Sequence, residues 1–199
     1  MSRYDVIIIG AGPGGIFAAY ELAKKAPELK VAVFEAGNSL EKRKCPIDGK
    51  KIKSCINCKT CAIMSGFGGA GAFSDGKYNI TNDFGGTLYE YIGKDTAIDL
   101  MKYVDEINLA YGGEGTKMYS TAGTDIKKLC IQNELKLLDA SVRHLGTDIN
   151  YIVLENLYKE LKEKVEFRFN YRVDELEAVD GGYRVISGDS TSVRSVLFP

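Results

Sequence analysis

Apolar and polar positions change period several times along the chain, and each change predicts an element. Tyr4 to Ile9 is dominated by β-branched residues, the mark of a parallel strand covered on both faces. The apolar-patterned "GIFAAYELAKKA" that follows predicts a helix, and "KVAVFE" predicts a second strand ending on Glu35. Asp95 to Tyr111 has helical periodicity with an acidic first turn, and "TDIKKLCIQNEL" predicts a shorter helix capped by Thr124. "KLLDASVRHLG" looks extended. A helix from Asp148 to about Lys164 follows, with Thr147 as its N-cap. The strand "VEFRF" and a hairpin turning at Asp180-Gly181-Gly182 complete the pattern.

The first strand runs into Gly10-Ala11-Gly12-Pro13-Gly14-Gly15, which fits G-x-G-x-x-G. Gly10 permits the tight turn, and Gly12 lets the backbone approach a pyrophosphate. Gly15 and Ala19 let the helix pack against the strand, while the helix N-terminus offers free N–H groups to phosphates. Glu35 stands at the end of the second strand, where a carboxylate accepts hydrogen bonds from a ribose diol. It suits FAD and NAD equally, since both carry adenosine diphosphate, and would repel the 2′-phosphate of NADP.

Between the second strand and about Gly93 little regular patterning is visible, so 36–93 reads as a long Cys- and Gly-rich insertion of functional character. Its glycine-dense part, "MSGFGGAGAFSDGKYNITND", allows a backbone path close against a flat or charged ligand. Upstream of it, "CPIDGKKIKSCINCKTC" holds Cys45, Cys55, Cys58 and Cys61 amid Lys42, Arg43, Lys44, Lys50, Lys51, Lys53 and Lys59. The last three cysteines have the spacing of ferredoxin ligands, but the fourth lies upstream instead of downstream. Four thiolates also suit zinc. Three readings stay open: a zinc or Fe–S site, redox-active thiols, or inert loop thiols.

The chain of 199 residues carries a net charge of -1, with 45% apolar and 27% charged residues. That balance gives no pull toward nucleic acid or an acidic membrane. No apolar run approaches the about 20 residues of a membrane helix. The start reads as a buried strand rather than a signal segment, so a cytoplasmic location is expected. Clustered cysteines there point to metal or redox chemistry rather than structural disulfides.

"DVIIIGAGPGGIFAAYELAKK…VAVFEAG" resembles the N-terminal FAD-binding segment of the glutathione-reductase-type flavoprotein superfamily. With "SGFGGAGAFSDGKYNITN" and "RHLGTD" it resembles a narrower group, the largely uncharacterised FAD-dependent dehydrogenases, or NAD(P)/FAD-dependent oxidoreductases. The glycine-rich stretch is also similar to the "SGGGRCN" and "TN" loop of a neighbouring flavoprotein family. The resemblance implies an α/β, Rossmann-like FAD-binding domain, with a parallel sheet, helices and a β-meander. It implies that Gly10, Gly12, Pro13, Gly14, Gly15, Glu35, Ala36 and Arg43 line the dinucleotide. Gly68, Gly69, Ala70 and Gly71 would lie along the pyrophosphate or the isoalloxazine, and Val173 at the adenine end. His144 falls in the family's His-x-Gly-Thr-Asp segment, near flavin or substrate, or else simply orders the loop before the next helix.

By the same resemblance, 1–199 is a single N-terminal FAD/NAD(P)-binding domain in which 112–145 begins a substrate or cap region. The family's Ala-Thr-Gly turn and later Gly-Asp segment have no counterpart in "SGDSTSVRSVLFP", so an incomplete flavin site is expected. The expected function is that of an FAD-dependent oxidoreductase acting on a small-molecule substrate or redox partner, with NAD(P)H as electron donor. No catalytic residue is assigned. An NAD-binding dehydrogenase on the same fold and a cofactor-free truncated module are the alternatives.

Overall fold

A computed structural model describes residues 3–188 and 191–195. In chain order the elements begin with β1 (Arg3–Tyr4), β2 (Val6–Ile9), α1 (Pro13–Lys25) and β3 (Val31–Phe34). Then come β4 (Lys77–Ile80), α2 (Leu88–Ile92), α3 (Lys94–Asn108), β5 (Met118–Ser120), α4 (Ile126–Gln132) and β6 (Ser141–His144). The last are α5 (Thr147–Leu161), β7 (Glu166–Arg168), β8 (Glu175–Val179), β9 (Gly182–Ser187) and β10 (Thr191–Ser195). Contacts divide the chain into two units, Met1–Phe73 with Leu154–Pro199, and Ser74–Val153, the division falling inside α5.

The first unit holds a parallel sheet of order β2-β3-β7, in which Ile8 pairs with Val33 and Val33 with Phe167. β3 is central and buried at every residue, which is why its sequence is continuously apolar. α1 crosses over from β2 to β3, and Gly15 decides how closely it can lie. A Cβ there would stand 1.9 Å from the Gly10 carbonyl oxygen, so no larger residue fits. A second sheet, β1-β10-β9-β8, is the meander, with the hairpin turning at Gly181 as the sequence predicts. Tyr4, Phe34, Ala32 and Val185 form its buried seam, and Tyr171 and Val173 pack against them. Of the tail "SGDSTSVRSVLFP", Asp189, Ser190 and residues 196–199 lie outside the described residues.

The second unit is built on an antiparallel sheet of order β4-β6-β5. β4 falls within the stretch that the sequence pattern leaves irregular. Its residues alternate between exposed and half-buried, a short strand signal masked by the surrounding glycines. α3 and α4 stand where periodicity places them. The expected Thr124 cap is not made, and Asp125 precedes α4 without a side-chain cap bond. α3 continues into a π turn, Leu109–Gly113.

A buried ion pair organises this unit. Arg143 on β6 donates from Nε and Nη2 to the two Asp105 carboxylate oxygens on α3, at 2.6 and 2.8 Å. Its Nη1 donates to the Thr116 carbonyl at 2.6 Å. Nearby, the Tyr78 hydroxyl donates to Asn150 Oδ1 at 2.9 Å, and burial, then the Asp105 charge, push the Tyr78 pKa up. Removing one partner of such a pair leaves an uncompensated buried charge. Asp105→Asn is therefore expected to cost about 3–5 kcal/mol, read as a lowered urea midpoint. Replacing Asp105 and Arg143 together by Leu and Met is expected to cost less than the single change.

Candidate functional site

The glycine motif places α1 with its N-terminus facing open space. Gly12 is the N-cap and makes no side-chain cap bond, Pro13 occupies the first helical position, and the Ile16 N–H returns to the Gly12 carbonyl at 2.9 Å. Because proline has no N–H, the Gly14 and Gly15 N–H groups are the first donors at the helix end. An added Cβ at Gly10, Gly12 or Gly14 would meet no protein atom within 4 Å. The space above these residues is therefore free, and the helix dipole favours an anion in it.

Glu35 is where three segments are tied together. Its Oε2 accepts the Ala11 N–H at 2.7 Å, and its Oε1 accepts those of Gly37 and Gly66, each at 2.8 Å. Only 6% of the residue is exposed. These bonds join the glycine motif, the end of β3 and the start of the glycine-rich loop. A carboxylate has about four lone-pair sites, so roughly one remains for a further donor. Gly37 and Gly66 pack so tightly that neither admits a side chain. A Cβ at Gly37 would lie 2.4 Å from the Gly66 nitrogen, and one at Gly66 would lie 2.6 Å from Arg43 Cδ. Ala36, between Glu35 and Gly37 in sequence, is half-buried.

Arg43 lies just beyond a short 3₁₀ turn, Leu40–Lys42, and is buried. Its Nε donates to the Ala62 carbonyl at 2.9 Å and Nη2 to that of Ile63 at 2.7 Å. Nη1 donates to the carbonyls of Phe67 and Gly69, both at 2.7 Å. The guanidinium also lies 4.8 Å from the Phe73 ring centroid, a cation–π distance. Burial pulls its pKa below the usual arginine value, opposed by the charges of Glu35 and Cys61.

Gly68 to Gly71 lie against the motif. The Gly68 N–H donates to the Ala11 carbonyl at 2.8 Å, and a Cβ on Gly69 would stand 3.2 Å from Gly12 Cα. Gly69–Phe73 forms a 3₁₀ turn in which Ala70 is exposed and Gly71 half-buried. Phe67 anchors the loop from below. It is fully buried, with ring centroids 4.9 Å from Tyr158 and 5.7 Å from Phe167. Sequence reasoning passed over Phe67 and Gly37. The signals for them were an aromatic between glycines and a glycine two residues after the strand-end acid.

Val173 packs in the meander seam. His144 is exposed on β6 opposite Lys77. The four cysteines expected to form a zinc or Fe–S set are not gathered into one. Cys45 is half-buried, Cys55, Cys58 and Cys61 are exposed, and all are free thiols. Among the described residues no group of three or more His, Cys, Asp or Glu side chains is placed to hold a metal ion. The segment's polar groups bond locally instead. Asp48 accepts the Lys50 and Ile52 N–H groups, and Cys55 Sγ accepts that of Asn57.

Known structures of the same shape define the class of fold. A 3-ketosteroid-delta4-(5alpha)-dehydrogenase from Rhodococcus jostii RHA1 superposes with a TM-score of 0.55 and 15% identity, over 98% of this chain and 44% of that one. A glycine oxidase from Geobacillus kaustophilus gives 0.52 and 16%, over 98% of this chain and 54% of that one. The chain thus has the Rossmann-type α/β fold of these two enzymes, and it spans about half the length of each.

Sequence similarity is narrower. The Thi4 family profile matches residues 1–41. The thiamine thiazole synthase of Yarrowia lipolytica is 64% identical over 33 residues, 17% of this chain and 10% of that enzyme. Its counterpart in Fusarium oxysporum f. sp. lycopersici is 57% identical over 35 residues, 18% of this chain and 11% of that enzyme. The match to the Thi4 profile ends just beyond the β2-α1-β3 unit. No helix among the described residues is long and apolar enough to cross a membrane.

Glu35→Gln tests the knot of three bonds. The amide turns one N–H₂ toward N–H donors that need an acceptor, leaving at least one buried donor unmet. A loss of about 2–3 kcal/mol in unfolding free energy is expected, with Glu35→Asp also destabilising because the shorter arm cannot reach all three donors.

Proposed function

We propose that the chain forms the dinucleotide-binding part of an FAD-dependent oxidoreductase. The observation that carries this reading is the uncapped N-terminus of α1, which opens onto free space bordered by Gly10, Gly12 and Gly14, with the Gly68–Gly71 loop against Gly12. The pyrophosphate of FAD fits that space, with the Gly14 and Gly15 N–H groups as its donors. The remaining lone pair of Glu35 suits a ribose hydroxyl. Bound FAD would supply the hydride or electron chemistry, and the protein would hold and orient it. Ala36, Ala70 and the backbone near Val173 would border the cofactor further along its length.

NAD(P)H as electron donor, a small-molecule substrate or redox partner, and a cytoplasmic location complete the proposal. The thiazole-forming activity of the Thi4-type enzymes is not carried over, because the similarity lies within residues 1–41, where the dinucleotide unit stands. That similarity supports dinucleotide binding. NAD in the same place is a second reading, because the open glycine cradle and Glu35 address only the adenosine diphosphate half that FAD and NAD share.

Titration settles the choice. FAD at 100 times its Kd is expected to stabilise the chain by about 2.7 kcal/mol, and the bound protein to show a visible flavin band. Stabilisation by NADH but not FAD would replace this reading by the second, and stabilisation by neither would leave a cofactor-free module. Gly12→Ala separates the site from the fold. Its Cβ meets no protein atom within 4 Å, so the ligand-free melting temperature is expected to stay within about 2 °C of the parent. FAD affinity is expected to fall at least about tenfold, because the methyl group occupies the pyrophosphate's approach.

A further inference from the structure

Arg43 is well placed to bind a phosphate by charge, yet its donors face elsewhere. A guanidinium carries five N–H groups in a rigid planar fork. Here they engage four carbonyl oxygens, those of Ala62, Ile63, Phe67 and Gly69. These belong to two separate turns, so a single side chain fixes both ends of the loop that reaches the glycine motif.

The peptide between Phe67 and Gly68 transmits this directly. Its carbonyl accepts from Arg43 Nη1 at 2.7 Å, and its N–H donates to the Ala11 carbonyl at 2.8 Å. Because the peptide unit is planar and trans, the two groups point in opposite directions, and fixing one aims the other. Arg43, the peptide and Ala11 therefore form one chain of hydrogen bonds ending inside the dinucleotide motif. The adjoining carbonyl of Gly69 is held by the same nitrogen, and Gly69 packs on Gly12. Gly66 makes room for this course of Arg43, since a Cβ at Gly66 would lie 2.6 Å from Arg43 Cδ and 2.8 Å from its Nε.

We propose that Arg43 is a positioning residue for dinucleotide binding, acting through the carbonyls of Phe67 and Gly69 and not on the cofactor itself. This rests on the FAD reading given above. A lysine keeps the charge but has neither the planar fork nor the reach to hold four carbonyls at once.

The test measures FAD affinity of the chain, well below its melting temperature, for the parent, Arg43→Lys and Arg43→Met. Both variants are expected to lose affinity alike, about 10- to 100-fold, as when the outer partners of a binding group are removed. The salt dependence of FAD affinity in Arg43→Lys is expected to match that of the parent. Near-parental affinity in Arg43→Lys with loss in Arg43→Met would mean that the charge acts on FAD directly, and would overturn the proposal. Parental affinity in both, with only a lower melting temperature, would reduce Arg43 to a structural residue. Failure of the parent to bind FAD would instead overturn the underlying reading.

Hydrogen exchange of the ligand-free parent decides the matter if the variants do not fold. The Gly68 amide is expected to be strongly protected before any cofactor is added. Its complete exchange within seconds would show that Arg43 does not preorganise the loop.

Discussion

The site depends on one buried carboxylate meeting three backbone N–H groups. Glu35 brings together the glycine motif through Ala11, its own strand end through Gly37, and the glycine-rich loop through Gly66. Charge-assisted bonds to N–H groups are among the stronger ones available to a protein, and these lie where water does not compete. The three segments come from distant parts of the sequence and have little apolar surface of their own at this point. Without a common acceptor they would have unmet donors in a buried place. The acid at the end of β3 is therefore an architectural group.

Arg43 complements it with the opposite polarity. Where Glu35 collects N–H groups, Arg43 collects carbonyls, and the loop from Ala62 to Gly69 lies between the two. A loop with so many glycines loses much conformational entropy on ordering. Two buried charged groups and the Phe67 anchor offset that loss without filling the space in front of α1. The aromatic cluster of Phe67, Tyr158 and Phe167 joins this loop to α5 and β7, so the loop is part of the domain's packing.

Much of the first unit is legible in the sequence, because its signals are local and strong. The spaced glycines and the terminal acid follow from turn chemistry and period, whereas the run Tyr4 to Ile9 is divided at Asp5 between two sheets and its β2 part is only half-buried, with Ile9 exposed. The β8–β9 hairpin follows from alternation and from Asp180-Gly181-Gly182. The second unit is less legible. β4 and β5 are short and stabilised by pairing with β6, a nonlocal cause that a single segment does not display. The Asp105–Arg143 pair is likewise invisible, since nothing in either residue's neighbourhood announces a partner so far along the chain. At the site, residue types do not announce their bonds. The expectation for Glu35 and Arg43 is a ligand contact, and the structure directs the hydrogen bonds described above to the backbone. The cysteine spacing suggested a ligand set, but a segment of exposed lysines and thiols has no core to draw its sulfurs together.

The open cradle at the start of α1 is defined by what its residues lack. Its walls are backbone, its first helical residue has no N–H, and its donors belong to glycines. Backbone amides do not titrate, so nothing in the cradle itself changes charge across the physiological pH range. The cradle is also easily lost by the gain of a single methyl group. A surface encoded by missing atoms keeps its form only while Glu35 and Arg43 hold the segments around it.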